Sequence, residues 1–211
     1  MKRNSFFAVL GCATLLAFAM PASATLTLHV DDSGANTQTA SNCANPCSII
    51  GAFGVFNVVV STGLDFSTPG SPSIDLALNA GSTGAGTLRS WFSISDLDIG
   101  AGAHTLQLAG SITNNQAAGV TWRICADDGN VVGGTQQCSA VTVAPSGLSF
   151  LSLAANLTGT YSLTIFEFWA PTSATAGLSL DGNLHTAPEP ATLAIIGLGL
   201  AGLGFARRKQ A

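Results

Sequence analysis

The strongest constraint in this sequence is a period-two alternation of apolar and polar residues that recurs through most of its length. Leu26, Leu28 and Val30 alternate with Thr25, Thr27 and His29, and Phe56, Val58 and Val60 form a second set. Further sets are Ile74/Leu76/Leu78, Leu88/Phe92/Ile94, Leu106/Leu108, Val120/Trp122/Ile124, Val141/Val143, Tyr161/Leu163/Ile165 and Leu178/Leu180. Side chains of a strand point alternately to opposite faces, so each run predicts a strand with one apolar face. Turn-forming clusters separate the runs, among them Thr68-Pro69-Gly70-Ser71-Pro72, Gly81-Ser82-Thr83-Gly84, Gly100-Ala101-Gly102, Asp128-Gly129-Asn130 and Asp181-Gly182-Asn183. No 3.6-residue apolar stripe interrupts the series, and no fixed-period repeat supports a propeller or solenoid. Strands with one apolar face must stack as two sheets to bury it, which predicts an all-β, antiparallel β-sandwich over residues 25–186. A jelly-roll and an immunoglobulin-like strand order both satisfy the pattern. The polar stretch from Asp31 to Asn42 reads as a loop leading into Cys43.

Charge narrows the partners. Only 9% of the 211 residues are charged, against roughly 25% in an average soluble domain. Residues 25–186 contain no lysine, and Arg89 and Arg123 stand against ten acids, a net charge of −8. Nucleic-acid affinity is dominated by neutralisation of phosphates, so that class of partner is excluded.

The front of the chain sets the compartment. Lys2-Arg3, an apolar run from Phe6 to Met20 and Ala22-Ser23-Ala24 have the layout of a secretory signal peptide over residues 1–24, removed by signal peptidase after Ala24. Val9-Leu10-Gly11-Cys12 faintly resembles a lipoprotein box, but cleavage there would leave too short an apolar run, so Cys12 reads as part of that run. Disulfides persist after export. Of three formal pairings, Cys43–Cys47 across Cys-Ala-Asn-Pro-Cys and Cys125–Cys138 around a glycine-containing loop are favoured. Four thiolates holding zinc is the rival reading, weakened by the absence of a nearby histidine.

Residues capable of chemistry are few. No Gly-x-Ser-x-Gly elbow occurs, and His29, His104 and His185 have no partner implied by spacing. Glu167, between aromatics in Ile165-Phe166-Glu167-Phe168-Trp169, is the one acid suited to a raised pKa and hence to a glycosidase, which needs a second carboxylate beside it. The simpler expectation is that it points outward from a strand end. Asp127, Asp128 and Asn130 offer oxygen ligands around a tight turn, a weak calcium set without the spacing of an EF-hand. No other cofactor is implied. Trp122 shares a face with Val120 and Ile124 and reads as core, whereas Trp91 lies opposite Leu88 and Phe92, the better-exposed ring for stacking on a sugar.

The last residues, 187–211, have three parts: Pro188-Glu189-Pro190, the apolar, glycine-laced run Ala191 to Ala206, and Arg207-Arg208-Lys209. As a transmembrane helix the 16-residue run would span about 24 Å, a little short of a roughly 30 Å hydrocarbon core. The basic cluster would stay cytoplasmic and place the domain across the membrane. Gly197, Gly199, Gly202 and Gly204 would let another helix approach closely. Taken together these parts resemble the PEP-CTERM sorting signal of exopolysaccharide-producing Gram-negative bacteria. A glycolipid-anchor signal fits less well, because the chain ends in basic residues.

That resemblance implies recognition by an exosortase, a membrane-embedded protease or transpeptidase that would process the tail near Pro188–Pro190. It also implies delivery to the cell surface or extracellular matrix, in association with exopolysaccharide or biofilm. The expectation is therefore an exported, transiently membrane-anchored, non-catalytic structural or adhesive protein. A carbohydrate-binding module using Trp91 is the alternative and a glycosidase using Glu167 the third reading.

Overall fold

The computed structural model describes residues 24–34, 36–65, 73–98, 101–114, 119–144 and 146–187, together with Leu198 and Leu200. The expected signal peptide, apart from Ala24, lies outside the described residues. So does the sorting segment, with Pro188, Glu189, Pro190, Arg207, Arg208 and Lys209. Among the described residues no helix is long and apolar enough to cross a membrane.

Among the described residues thirteen strands form two antiparallel sheets packed as a sandwich. They are β1 (Thr25–Asp31), β2 (Thr37–Cys43), β3 (Cys47–Phe53), β4 (Phe56–Asp65), β5 (Ser73–Ser82), β6 (Leu88–Leu97) and β7 (Gly102–Asn114). After these come β8 (Val120–Asp127), β9 (Gln137–Cys138), β10 (Thr142–Ala144), β11 (Gly147–Leu157), β12 (Tyr161–Trp169) and β13 (Gly177–Ala187). One sheet, here the front sheet, runs β10-β8-β12-β6-β1-β2, with β9 also paired to β8. The back sheet runs β11-β7-β13-β5-β4-β3. Edge strands that follow one another in the chain lie in different sheets. The chain passes from β2 to β3 at one side and from β10 to β11 at the other, which draws the sheet margins together.

The alternation read from the sequence sets the inner faces. Leu26, Leu28, Val30, Leu88, Phe92, Ile94, Trp122, Ile124, Leu163 and Ile165 of the front sheet are buried against Val58, Val60, Leu76, Leu78, Leu106, Leu108, Leu180 and Leu184 of the back sheet. Trp122 illustrates how the sheets fit. Gly110 of β7 and Gly182 of β13 are register partners, and a methyl group on Gly110 would lie 2.7 Å from the Trp122 ring. The missing side chain of Gly110 leaves the space that the indole fills, while a methyl on Gly182 would meet Leu76 and Leu108. Burying roughly 200 Å² of aromatic surface at about 25 cal/mol/Å² contributes on the order of 5 kcal/mol before entropy is subtracted.

Two expectations need correction. The polar segment before Cys43 is not a loop throughout, because Thr37–Cys43 is β2, paired with β1 from Asp31↔Thr37 to Leu26↔Cys43. It lacks an apolar face because it is an edge strand whose side chains face solvent, and a polar edge of this kind resists pairing with other chains. Val141 precedes β10 and Val143 lies within it, yet both are exposed, while Ala144 turns inward. Their alternation marks the solvent face of a short strand. Both expected disulfides are present, Cys43–Cys47 at the β2–β3 crossing and Cys125–Cys138 between the register partners of β8 and β9. Asn45 secures the first crossing through its amide, which donates to Leu64 O at 2.7 Å and accepts from Leu64 N at 3.0 Å.

Candidate functional site

Residues with chemistry to offer collect on the outer face of the front sheet. Antiparallel register aligns side chains of the same face into rows across neighbouring strands. One row runs Thr39, His29, Trp91, Phe166, Arg123 across β2, β1, β6, β12 and β8. The next row, two residues along, runs Asp31, Arg89, Phe168, Thr121, Val143 from β1 to β10. These rows outline an open depression of about 420 Å3 whose lining includes Arg89, Trp91, Arg123, Val141, Phe166 and Phe168.

Local contacts hold the rings in place. His29 stacks on Trp91 with ring centroids 4.9 Å apart and planes 11° from parallel. The imidazole is held at both nitrogens, Nδ1 2.7 Å from Thr39 Oγ1 and Nε2 3.2 Å from Asp31 Oδ2. The other oxygen of Asp31 accepts from Ser33 N at 2.7 Å. Arg123 places its guanidinium carbon 4.8 Å from the centre of the Phe166 ring, an arrangement that attracts the cation to the π face. The loop between β8 and β9 adds a wall. Gly133, at φ 71°, donates its N–H to Ser93 Oγ at 3.1 Å, and a methyl group added to it would lie 3.7 Å from the Trp91 ring. The Cys125–Cys138 bridge anchors this loop to the sheet.

Trp91 is thus on the outer face, as its strand phase predicts, and half-buried between His29 and the loop. Trp122 is core. Glu167 departs from expectation. It continues the inward series Tyr161, Leu163, Ile165 and is only 3% exposed, between its register partners Ser90 and Trp122. Ser90 Oγ donates to its Oε2 at 2.8 Å, whereas Oε1 has no hydrogen-bond partner among the described residues. Loss of water raises its pKa to about 7, and the Ser90 bond only partly opposes this. No second carboxylate contributes to that shift, and the pleat puts the carboxyl on the opposite face of the sheet from Trp91.

Asp127, Asp128 and Asn130, the expected calcium set, make hydrogen bonds within the fold. Asp127 Oδ1 accepts from Gly129 N at 2.9 Å. Asp128 accepts from the backbone and hydroxyl of Thr158, which lowers its pKa. Asn130 exchanges two 2.8 Å bonds with Asp96, accepting from its N–H and donating to its carboxylate, and that side-chain bond lowers the Asp96 pKa. The three histidines are dispersed: His104 lies on β7 and His185 on β13 of the back sheet, away from His29. A second depression, about 550 Å3, sits on the outer face of the back sheet and is lined by neutral residues such as Asn57, Asn79 and Ser179.

The sequence singled out Trp91 as an exposed ring but not Arg89, Arg123, Phe166 and Phe168 as its neighbours. Their strand phases were legible, since each is opposite a core position, but the register that makes β8, β12 and β6 adjacent was not.

Comparison with known proteins locates one function-bearing segment. Residues 186–209 match the PEP-CTERM protein-sorting motif, so the resemblance of the tail holds. No curated protein sequence matches the chain. Among solved structures, the enzymatically active domain of the bacteriophage CBA120 tailspike protein 4 aligns with a TM-score of 0.33 and 13% identity. That alignment covers 60% of this chain and 18% of the tailspike chain.

Proposed function

We propose that this protein is an exported bacterial surface or extracellular-matrix component that an exosortase processes at its C-terminal sorting motif, and that its sandwich serves a non-catalytic, structural or adhesive role. The observation that carries this is the sorting motif at residues 186–209. It begins inside the fold, since Thr186 of β13, a central strand of the back sheet, is buried and paired with Leu106 of β7. Only Pro188, Glu189 and Pro190 separate the last paired residue, Ala187, from the apolar run at Ala191. An extended chain covers at most about 3.5 Å per residue, so the folded sandwich would stand within about 14 Å of that run. Cutting near Pro188–Pro190 would free the domain from the membrane without removing any strand. Intact-mass measurement of the surface form, from cells with and without the exosortase, tests the proposal. The expected result is a chain shortened near residue 190 only where the enzyme is present. A full-length C-terminus in both would refute it and leave a plain membrane anchor.

A second reading, a module that binds extracellular polysaccharide, is favoured by the depression around Trp91. Flat aromatic faces beside polar groups are the surfaces on which sugar rings stack, and this one is fixed in place by His29 and the disulfide-anchored loop.

A further inference from the structure

We propose that the depression on the front sheet binds an anionic polysaccharide bearing carboxylated sugar units, with Arg89 and Arg123 receiving the carboxylates and Trp91 and Phe168 meeting the sugar faces. The proposal rests on the carbohydrate-binding reading and adds the charge class of the ligand. Residues 25–186 contain only two cationic side chains besides histidine, and both line this one depression. They come from different strands, β6 and β8, separated by β12, so local sequence does not explain their meeting. The second depression, on the back sheet, is lined by no charged residue.

Among the described residues neither arginine has an ion-pair partner. Among the described residues the one salt-bridge contact is His29 with Asp31. Asp31 faces Arg89 across β1 and β6, yet its oxygens are engaged by His29 and Ser33. Arg123 lies over Phe166, with its guanidinium carbon 4.8 Å from the ring centre. A guanidinium held in this way presents paired donors that match a carboxylate. Strand spacing of about 4.8 Å and a two-residue step of about 6.7 Å put the two arginine Cα atoms about 12 Å apart, with the Phe166–Phe168 column between them. Two cations flanking an aromatic column suit a chain of acidic sugars better than one small anion. The acidic surface elsewhere does not forbid this, because charges beyond a Debye length of about 8 Å at physiological salt are largely screened. Two acids line the depression: Asp31, whose carboxylate is already hydrogen-bonded, and Glu167, whose buried side chain continues the inward series of β12.

The test is affinity electrophoresis of the exported protein, disulfides intact, through gels containing polygalacturonate, neutral dextran or inorganic polyphosphate. Expected is retardation by polygalacturonate and not by dextran, weakened about tenfold by Arg89→Gln or Arg123→Gln and abolished by Trp91→Ala. Thermal unfolding of each variant controls for folding, with no change expected for exposed Arg89 and a small fall for half-buried Arg123, which lies over Phe166. Equal retardation by dextran, unaffected by the arginine variants, would overturn the acidic ligand and leave carbohydrate binding standing. No retardation by either glycan would overturn both. Retardation by polyphosphate as strong as by polygalacturonate, and indifferent to Trp91→Ala, would show plain anion exchange and overturn the proposal.

Discussion

Replacing Glu167 with glutamine should flatten the pH dependence of stability in a defined window. The side chain is 3% exposed on the inner face of β12, with Ser90 as its hydrogen-bond donor and one carboxyl oxygen without a partner among the described residues. Burial raises its pKa from 4.5 to about 7. Between those values the folded chain keeps a proton that the unfolded chain has released. Unfolding therefore loses a proton, and stability falls as pH rises through the window. About 2.5 pH units at 1.36 kcal/mol each make the loss on the order of 3 kcal/mol, complete above the folded pKa. The acids with lowered pKa, Asp32, Asp96 and Asp128, act elsewhere. Their contribution is present above the unfolded value of 3.8 and is lost only as pH falls below it. Urea midpoints of the disulfide-intact protein at about pH 5 and about pH 8 would measure the effect, provided the slope m is unchanged. The wild type should be markedly less stable at the higher pH, and Glu167→Gln, which can still accept from Ser90, should show little difference. If the variant keeps the wild-type dependence, Glu167 is not the buried titrating group and the reasoning fails.

Other substitutions probe the frame around the site. Gly110→Ala should destabilise by about 1–3 kcal/mol, because its methyl would meet the Trp122 ring at 2.7 Å and the Asp181 carbonyl at 2.9 Å; a fall in urea midpoint would register it. Cys125→Ser with Cys138→Ser opens a bridge between residues 13 apart and should cost about 3 kcal/mol. It should also loosen Gly133 from Trp91, giving a red-shifted tryptophan fluorescence. Asn130→Ala removes both bonds to Asp96, and the Asp96 pKa, lowered mainly by that side chain, should move back toward 3.8 in a carboxylate NMR titration.

The architecture was readable because a half-buried strand must alternate, and Leu26/Leu28/Val30, Ile74/Leu76/Leu78 and Tyr161/Leu163/Ile165 do so without interruption. The same phase, carried two residues further, places Glu167 inside. That information was present, and the general preference of a carboxylate for solvent overrode it. β2 escaped notice because an edge strand with both faces wet needs no apolar alternation and is held by backbone pairing to β1. Val141 and Val143 misled for the opposite reason, since apolar residues on a short outer strand copy the pattern of a buried one.

By itself the sequence pointed to the two sheets, favoured both cysteine pairings among three and carried the sorting motif, each a matter of local period, short loop closure or a contiguous segment. The tertiary structure decided the composition of the site. Residues 89, 91, 123, 166 and 168 become neighbours only through strand register, which is set by long-range packing of the inner faces. The depression on the front sheet is therefore a consequence of the core beneath it, and no local sequence pattern could have announced it.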